Sequence, residues 1–95
     1  MAELLSDIAI QRDLGSLPGW ARRSDVLTKT YQFRGFLEAI AFVNRVAEVA
    51  EEANHHPDID IRYARVTLTL STHDAGGITQ NDLSLAKAIE AAQQS

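Results

Sequence analysis

The 95-residue sequence predicts an α+β fold: a four-stranded antiparallel sheet with three helices packed on one face, in the order α-β-β-α-β-β-α. Three observations carry this. Stretches with apolar residues three and four apart (5–14, 36–53, 83–92) alternate with stretches of period two (20–33 and 59–70). The period-two stretches break into adjacent pairs of strands joined by short turns, which is the layout of hairpins. The chain is also too short to divide into halves, so residues 1–95 read as one domain with one modest core, and helices gathered on one sheet face are the economical way to close it.

In chain order, residues 5–14 read as a short helix, with Ser6 at its capping position and Gly15 past its end. Gly15-Ser16-Leu17-Pro18-Gly19 is a turn cluster leading to Trp20, the only tryptophan, at the head of a strand that runs to Arg23. Trp20 has two readings, a core or edge anchor and a stacking wall for a flat ligand. Ser24 and Asp25 turn the chain. Leu27, Lys29, Tyr31 and Phe33 then alternate with Thr28, Thr30 and Gln32, giving a strand whose apolar face carries one exception, Lys29.

After Gly35 the period changes. Phe36, Ile40, Val43, Ala47 and Ala50, supported by Leu37 and Val46, mark the buried stripe of a helix of about five turns. It stops near Ala53 or Asn54, ahead of Pro57. Ile59, Ile61 and Tyr63 share one parity and Val66, Leu68 and Leu70 the other, so two strands meet at a turn near Ala64-Arg65, with His73 at the far end of the second. Thr79 and Asp82 make a capping box for the last helix. Leu83, Leu85, Ala86, Ala88, Ile89 and Ala92 of that helix are expected against the sheet, and residues 93–95 are expected to fray.

Composition excludes several classes of function. A net charge of −4 and a pI near 5.2 give no electrostatic footprint for nucleic acid, so no direct DNA or RNA partner is expected. Without cysteine there is neither a disulfide framework nor a thiolate metal site, which suits a reducing compartment and makes the cytoplasm the default. No apolar run approaches the roughly twenty residues that cross a bilayer, and the amino terminus lacks the layout of a secretion signal, so no membrane partner is expected.

All three histidines fall between positions 55 and 73. Imidazole is the side chain that exchanges protons near neutral pH, so their concentration marks a candidate site for acid–base chemistry. A metal site is the competing reading, but adjacent residues such as His55 and His56 as a rule point in different directions, and no histidine pair has the helical spacing of four. The bland reading is three surface histidines beside a helix-stopping proline. Glu51, four residues before His55 on the last helical turn, is placed to hydrogen-bond an imidazole and favour its protonated form. For Asp82 the capping role is sufficient.

Glu51, His55-His56-Pro57, Tyr63, His73 and Asp82, separated by three, five, nine and eight residues, resemble the signature of the pterin-4a-carbinolamine dehydratases. The likeness extends to Leu17 through Trp20, to Tyr31, Phe33 and Phe36, and to Thr72-His73-Asp74 with Gly76-Gly77-Ile78-Thr79. The resemblance implies a hydro-lyase that eliminates water from 4a-hydroxytetrahydrobiopterin to give quinonoid dihydrobiopterin, in tetrahydrobiopterin recycling, with no cofactor and no metal. It implies that His55 and His73 are the acid–base pair, that His56 binds and orients the pterin, and that Glu51 adjusts the neighbouring imidazole. Asn54, Ser71, Thr72 and Asp74 would line the pocket, with Trp20 as a wall. The fold it implies is the one read above, assembled as a homodimer or homotetramer. Some members also serve as a dimerisation cofactor for a homeodomain transcription factor, and relatives without the histidines act as assembly factors for a carbon-fixing enzyme. A non-catalytic binding relative is therefore the alternative, although this chain keeps all three histidines. It departs from the common pattern at Asp58-Ile59, where many members carry an aromatic residue, and at Ala64, where asparagine is usual.

Overall fold

The computed structural model describes residues 3–93, and the element order is the expected one. Helix α1 spans Asp7–Leu14, strand β1 Ala21–Arg23, strand β2 Val26–Gln32, helix α2 Phe36–Ala53, strand β3 Asp58–Arg62, strand β4 Arg65–Leu70 and helix α3 Gln80–Gln93. A 3₁₀ turn at His73–Ala75 lies between β4 and α3. The strands form one antiparallel sheet in the order β1-β2-β4-β3, so α2 carries the chain across from β2 to the far edge. The expected fraying of residues 94–95 lies outside the described residues, and Gln93 is still helical.

Alternation along the strands assigns the two sheet faces. Leu27 and Tyr31 of β2 and Val66, Leu68 and Leu70 of β4 are buried under the helices, beside Ile10, Phe42, Val46, Leu83, Leu85 and Ile89. The opposite face is a polar surface in which Thr28 stands across from Thr69 and Thr30 from Thr67, the latter pair hydrogen-bonded at 2.8 Å. Ser6 caps α1 as the sequence predicts, accepting the Ala9 N–H.

Helix α2 has the expected length but a different buried face. Ala39, Phe42, Val46 and Ala50 are buried, whereas Phe36, Leu37 and Ala47 are exposed. Two stripes with the same three-and-four spacing coexist on this helix, about a quarter turn apart. Periodicity does not choose between them. The choice falls to Phe42, whose ring sits 4.5 Å from Tyr31 and 5.1 Å from Phe33 at the centre of the core.

Lys29, the charge on the apolar face of β2, is explained by a residue from the other end of the chain. Glu90 of α3 accepts hydrogen bonds from Lys29 Nζ at 2.5 Å, the Tyr31 hydroxyl at 2.5 Å and the Trp20 indole N–H at 3.1 Å, while Lys29 also reaches the Pro18 carbonyl at 2.8 Å. Burial alone would disfavour the Glu90 carboxylate. The donors from Lys29, Tyr31 and Trp20 outweigh it, and the carboxyl lies below its ordinary value. Tyr31 is held far above the usual tyrosine value, first by burial and then by the hydrogen bond to Glu90 and its charge.

Candidate active site

The exit from α2 determines where the first two imidazoles go. Asn54 takes the left-handed conformation (φ 51°), its N–H reaching the carbonyls of Ala50 and Glu51, and the His55 N–H bonds the Ala50 carbonyl at 3.2 Å. This is a Schellman-type close, which satisfies the last carbonyls of the helix with the two residues that follow it. The helix therefore ends through its own cap before Pro57 exerts its restriction, and His55 and His56 stand on an extended segment entering β3. His55 is thus off the helix, and the four-residue spacing from Glu51 does not bring the two together.

His73 arrives from the neighbouring strand, since Thr69 near the end of β4 is in register with Asp58 at the head of β3. Past the end of β4 the chain makes the 3₁₀ turn, with Thr72 bridged to Gly77 and Gly76 in the left-handed region at φ 78°, where a side chain would be strained. The turn folds His73 back beside the His55–His56 segment. His55, His56 and His73 line one notch of about 360 Å³, together with Asn54, Pro57, Asp58, Ser71, Thr72 and Asp74. That volume is at the small end of the range for small-molecule sites. Among the described residues no group of three metal-ligating side chains converges.

Each imidazole has a different environment. His55 is mostly covered and its Nε2 lies 2.6 Å from Oδ1 of Asp82, which is fully buried. The other carboxylate oxygen, Oδ2, accepts the Thr79 N–H and the Thr72 hydroxyl, both at 2.8 Å. Thr72 and Thr79 are themselves linked at 2.7 Å, and the Thr79 hydroxyl accepts the Asn81 N–H. A carboxylate only accepts, so Nε2 of His55 carries a hydrogen and Nδ1 is left as the nitrogen that gains or loses a proton. His56 pairs through Nε2 with Glu51 Oε2 at 2.5 Å, on the solvent side. His73 is exposed, and its ring makes no hydrogen bond to another described residue.

Several expectations change. Glu51 pairs with His56 and not with His55. Asp82 does form the capping box, but the cap occupies only one of its oxygens; the sequence signal for a second role was that spare oxygen in a residue belonging to the histidine spacing pattern. Thr72 lines the notch, yet its hydroxyl is committed to Asp82 and Thr79, which makes it a support for His55 more than a hand for a ligand. Trp20 does not line the notch at all. It is buried in the core and tied to Glu90, so it is the anchor and not the ligand wall. Asp58, not picked out as a site residue from the sequence, does line it.

The profile of the pterin 4 alpha carbinolamine dehydratase family matches residues 3–92. A protein of Thermomicrobium roseum carrying the same dehydratase assignment is 60% identical over 83 residues, covering 87% of this chain and 89% of the relative. One from Roseiflexus sp. is 56% identical over 90 residues, covering 95% and 97%. Among solved structures, a Brucella melitensis protein described as a transcriptional coactivator/pterin dehydratase superposes with a TM-score of 0.88 at 31% identity, over 93% of this chain and 96% of that one. A pterin dehydratase-like protein described as a RuBisCO assembly factor superposes at 0.64 and 23% identity over 80% and 88%, a likeness of fold alone. The chain belongs to the pterin 4 alpha carbinolamine dehydratase family, a family of hydro-lyases.

Proposed function

We propose that this chain, acting as a single domain, removes water from 4a-hydroxytetrahydrobiopterin and returns quinonoid dihydrobiopterin to a tetrahydrobiopterin cycle. The observation that carries the reading is the convergence of three imidazoles on one notch, one of them backed by a buried carboxylate. In the elimination the C4a–O bond breaks, the oxygen takes a proton and leaves as water, and loss of the N5 proton supplies the electrons of the new C4a=N5 bond. His55 serves as the base at N5. Asp82 fixes its tautomer and stabilises the imidazolium that results. His73, open to solvent and without a side-chain hydrogen bond to another described residue, delivers the proton to the departing oxygen and is reprotonated from bulk water. His56, oriented by Glu51, holds the bicyclic ring, with Asn54, Ser71 and Asp74 completing the wall.

The same reading includes a homodimer, with a dimer of dimers as its larger form. Strand β3 is a sheet edge with Ile59 and Ile61 each 38% exposed, and an unpaired edge of this kind invites a second strand. Antiparallel pairing of two copies centred on Ile61 sets Asp60 of one opposite Arg62 of the other and Ile61 against Ile61, matching charge on one face and apolar surface on the other. The cysteine-free composition fits a cytoplasmic setting. No helix among the described residues is long and apolar enough to cross a membrane.

The test is the decay of 4a-hydroxytetrahydropterin with purified protein in the presence of a chelator. Acceleration is expected, with His55→Ala and His73→Ala each removing most of it at a temperature where both are folded; His73→Ala should melt close to the parent, and His55→Ala lower, because it strips Oδ1 of the buried Asp82 of its partner. Full activity in both variants refutes the assigned roles. Absence of turnover in the parent, with a stable complex recovered from the source cell, supports the alternative of a binding relative on this fold.

A further inference from the structure

Two carboxylates line the notch without a side-chain hydrogen bond or ion pair to any described residue, Asp58 and Asp74. Asp58 is the more firmly placed of the two. It opens β3 directly after Pro57 and is held in register opposite Thr69 of β4, whereas Asp74 rides on the exposed 3₁₀ turn. Its neighbour on the same face of the strand, Asp60, takes the nearby cation, Arg62, at 3.2 Å. Asp58 thus lines the notch with a carboxylate that has no side-chain donor among the described residues.

We propose that Asp58 sets the ligand specificity of this site by clamping the edge of the pterin ring that carries the 2-amino group and N3–H. This rests on the dehydratase reading and adds to it the means by which a 2-amino-4-oxo ring is told from its analogues. The histidines act at the C4a–N5 side of the bicycle, so the pyrimidine edge needs a recogniser of its own. That edge presents two adjacent N–H donors pointing the same way, the pattern that a carboxylate accepts in parallel when it meets an arginine. A lumazine, with oxygen in place of the 2-amino group, offers one donor and one acceptor there. Its 2-oxo group would face a carboxylate oxygen with no hydrogen between them, and the parent protein should reject it.

Replacing the carboxylate by an amide gives the opposite prediction, because the side chain in Asp58→Asn would present one acceptor and one donor, complementary to N3–H and the 2-oxo group. The exchange is isosteric and the position is exposed, so the fold is not at stake. The measurement is fluorescence titration of the parent, Asp58→Asn and Asp74→Asn with pterin and with lumazine, neither of which can react. The parent should bind pterin about tenfold to a hundredfold more tightly than lumazine, the range for a hydrogen bond to a charged group. Asp58→Asn should lose that preference or reverse it. An unchanged preference in Asp58→Asn overturns the inference, as does reversal by Asp74→Asn alone. Failure of the parent to bind either ring overturns the dehydratase reading itself, and a parent that binds both equally overturns only the role of Asp58.

Discussion

Asp82→Asn separates the two tasks of the buried carboxylate. In the parent, Oδ2 takes the Thr79 N–H and the Thr72 hydroxyl while Oδ1 takes His55 Nε2. An asparagine has one accepting oxygen. If that oxygen keeps the two donors of the cap, the amide N–H₂ faces His55, and Nε2 must become an acceptor with the hydrogen moved to Nδ1. The base is then blocked at the nitrogen the mechanism uses. A tautomer fault of this kind costs up to about 10⁴ in kcat in the serine protease triad, and loss of a hydrogen bond to a charged group alone costs about tenfold to a hundredfold. A fall in kcat between about 10² and 10⁴ is expected, with KM changing less because the notch lining is intact. Stability should drop by about 1–3 kcal/mol for the disturbed buried group, about 4–20 °C in melting temperature for a domain of this size. Two measurements are needed: turnover at a temperature where circular dichroism shows the variant folded, and ¹⁵N chemical shifts of the His55 ring. A folded variant with kcat within twofold of the parent and hydrogen still on Nε2 would refute the proposed dyad.

Three further outcomes are expected. Glu90→Gln leaves Lys29 with a weaker acceptor and should cost about 2 kcal/mol at pH 7; since the folded carboxyl titrates below its ordinary value of 4.5, the parent's advantage is present above that pH and is lost as pH falls through the folded value, so urea midpoints of parent and variant should converge under acid. Phe42→Ala removes a ring with no exposure and two aromatic neighbours, and should cost about 3–5 kcal/mol in urea unfolding, a large part of the stability of a small domain. Arg62→Glu sets like charges opposite each other across two β3 edges and should shift sedimentation toward the monomer without altering the monomer's circular dichroism.

The order of elements, the period-two strands and the two capped helix starts were legible in the sequence because each is written in neighbouring residues: Ser6 and Ala9, Thr79 and Asp82, the alternation through Val66, Leu68 and Leu70. The clustering of histidines between 55 and 73 pointed to the site for the same reason. What the tertiary structure decided are choices among partners that local pattern leaves equal. Helix α2 offers two apolar stripes of one period, and only packing against Tyr31 and Phe33 selects Phe42 over Phe36. The sequence offers Glu51, four residues away, as the carboxylate for His55, but the left-handed close at Asn54 takes the imidazole off the helix and it pairs with Asp82, twenty-seven residues away. Trp20 and Lys29 acquire their meaning from Glu90, some sixty or seventy positions along the chain. A sequence sets periods and caps through contacts a few residues apart, but the partner of a buried polar group is fixed by which distant surface arrives beside it.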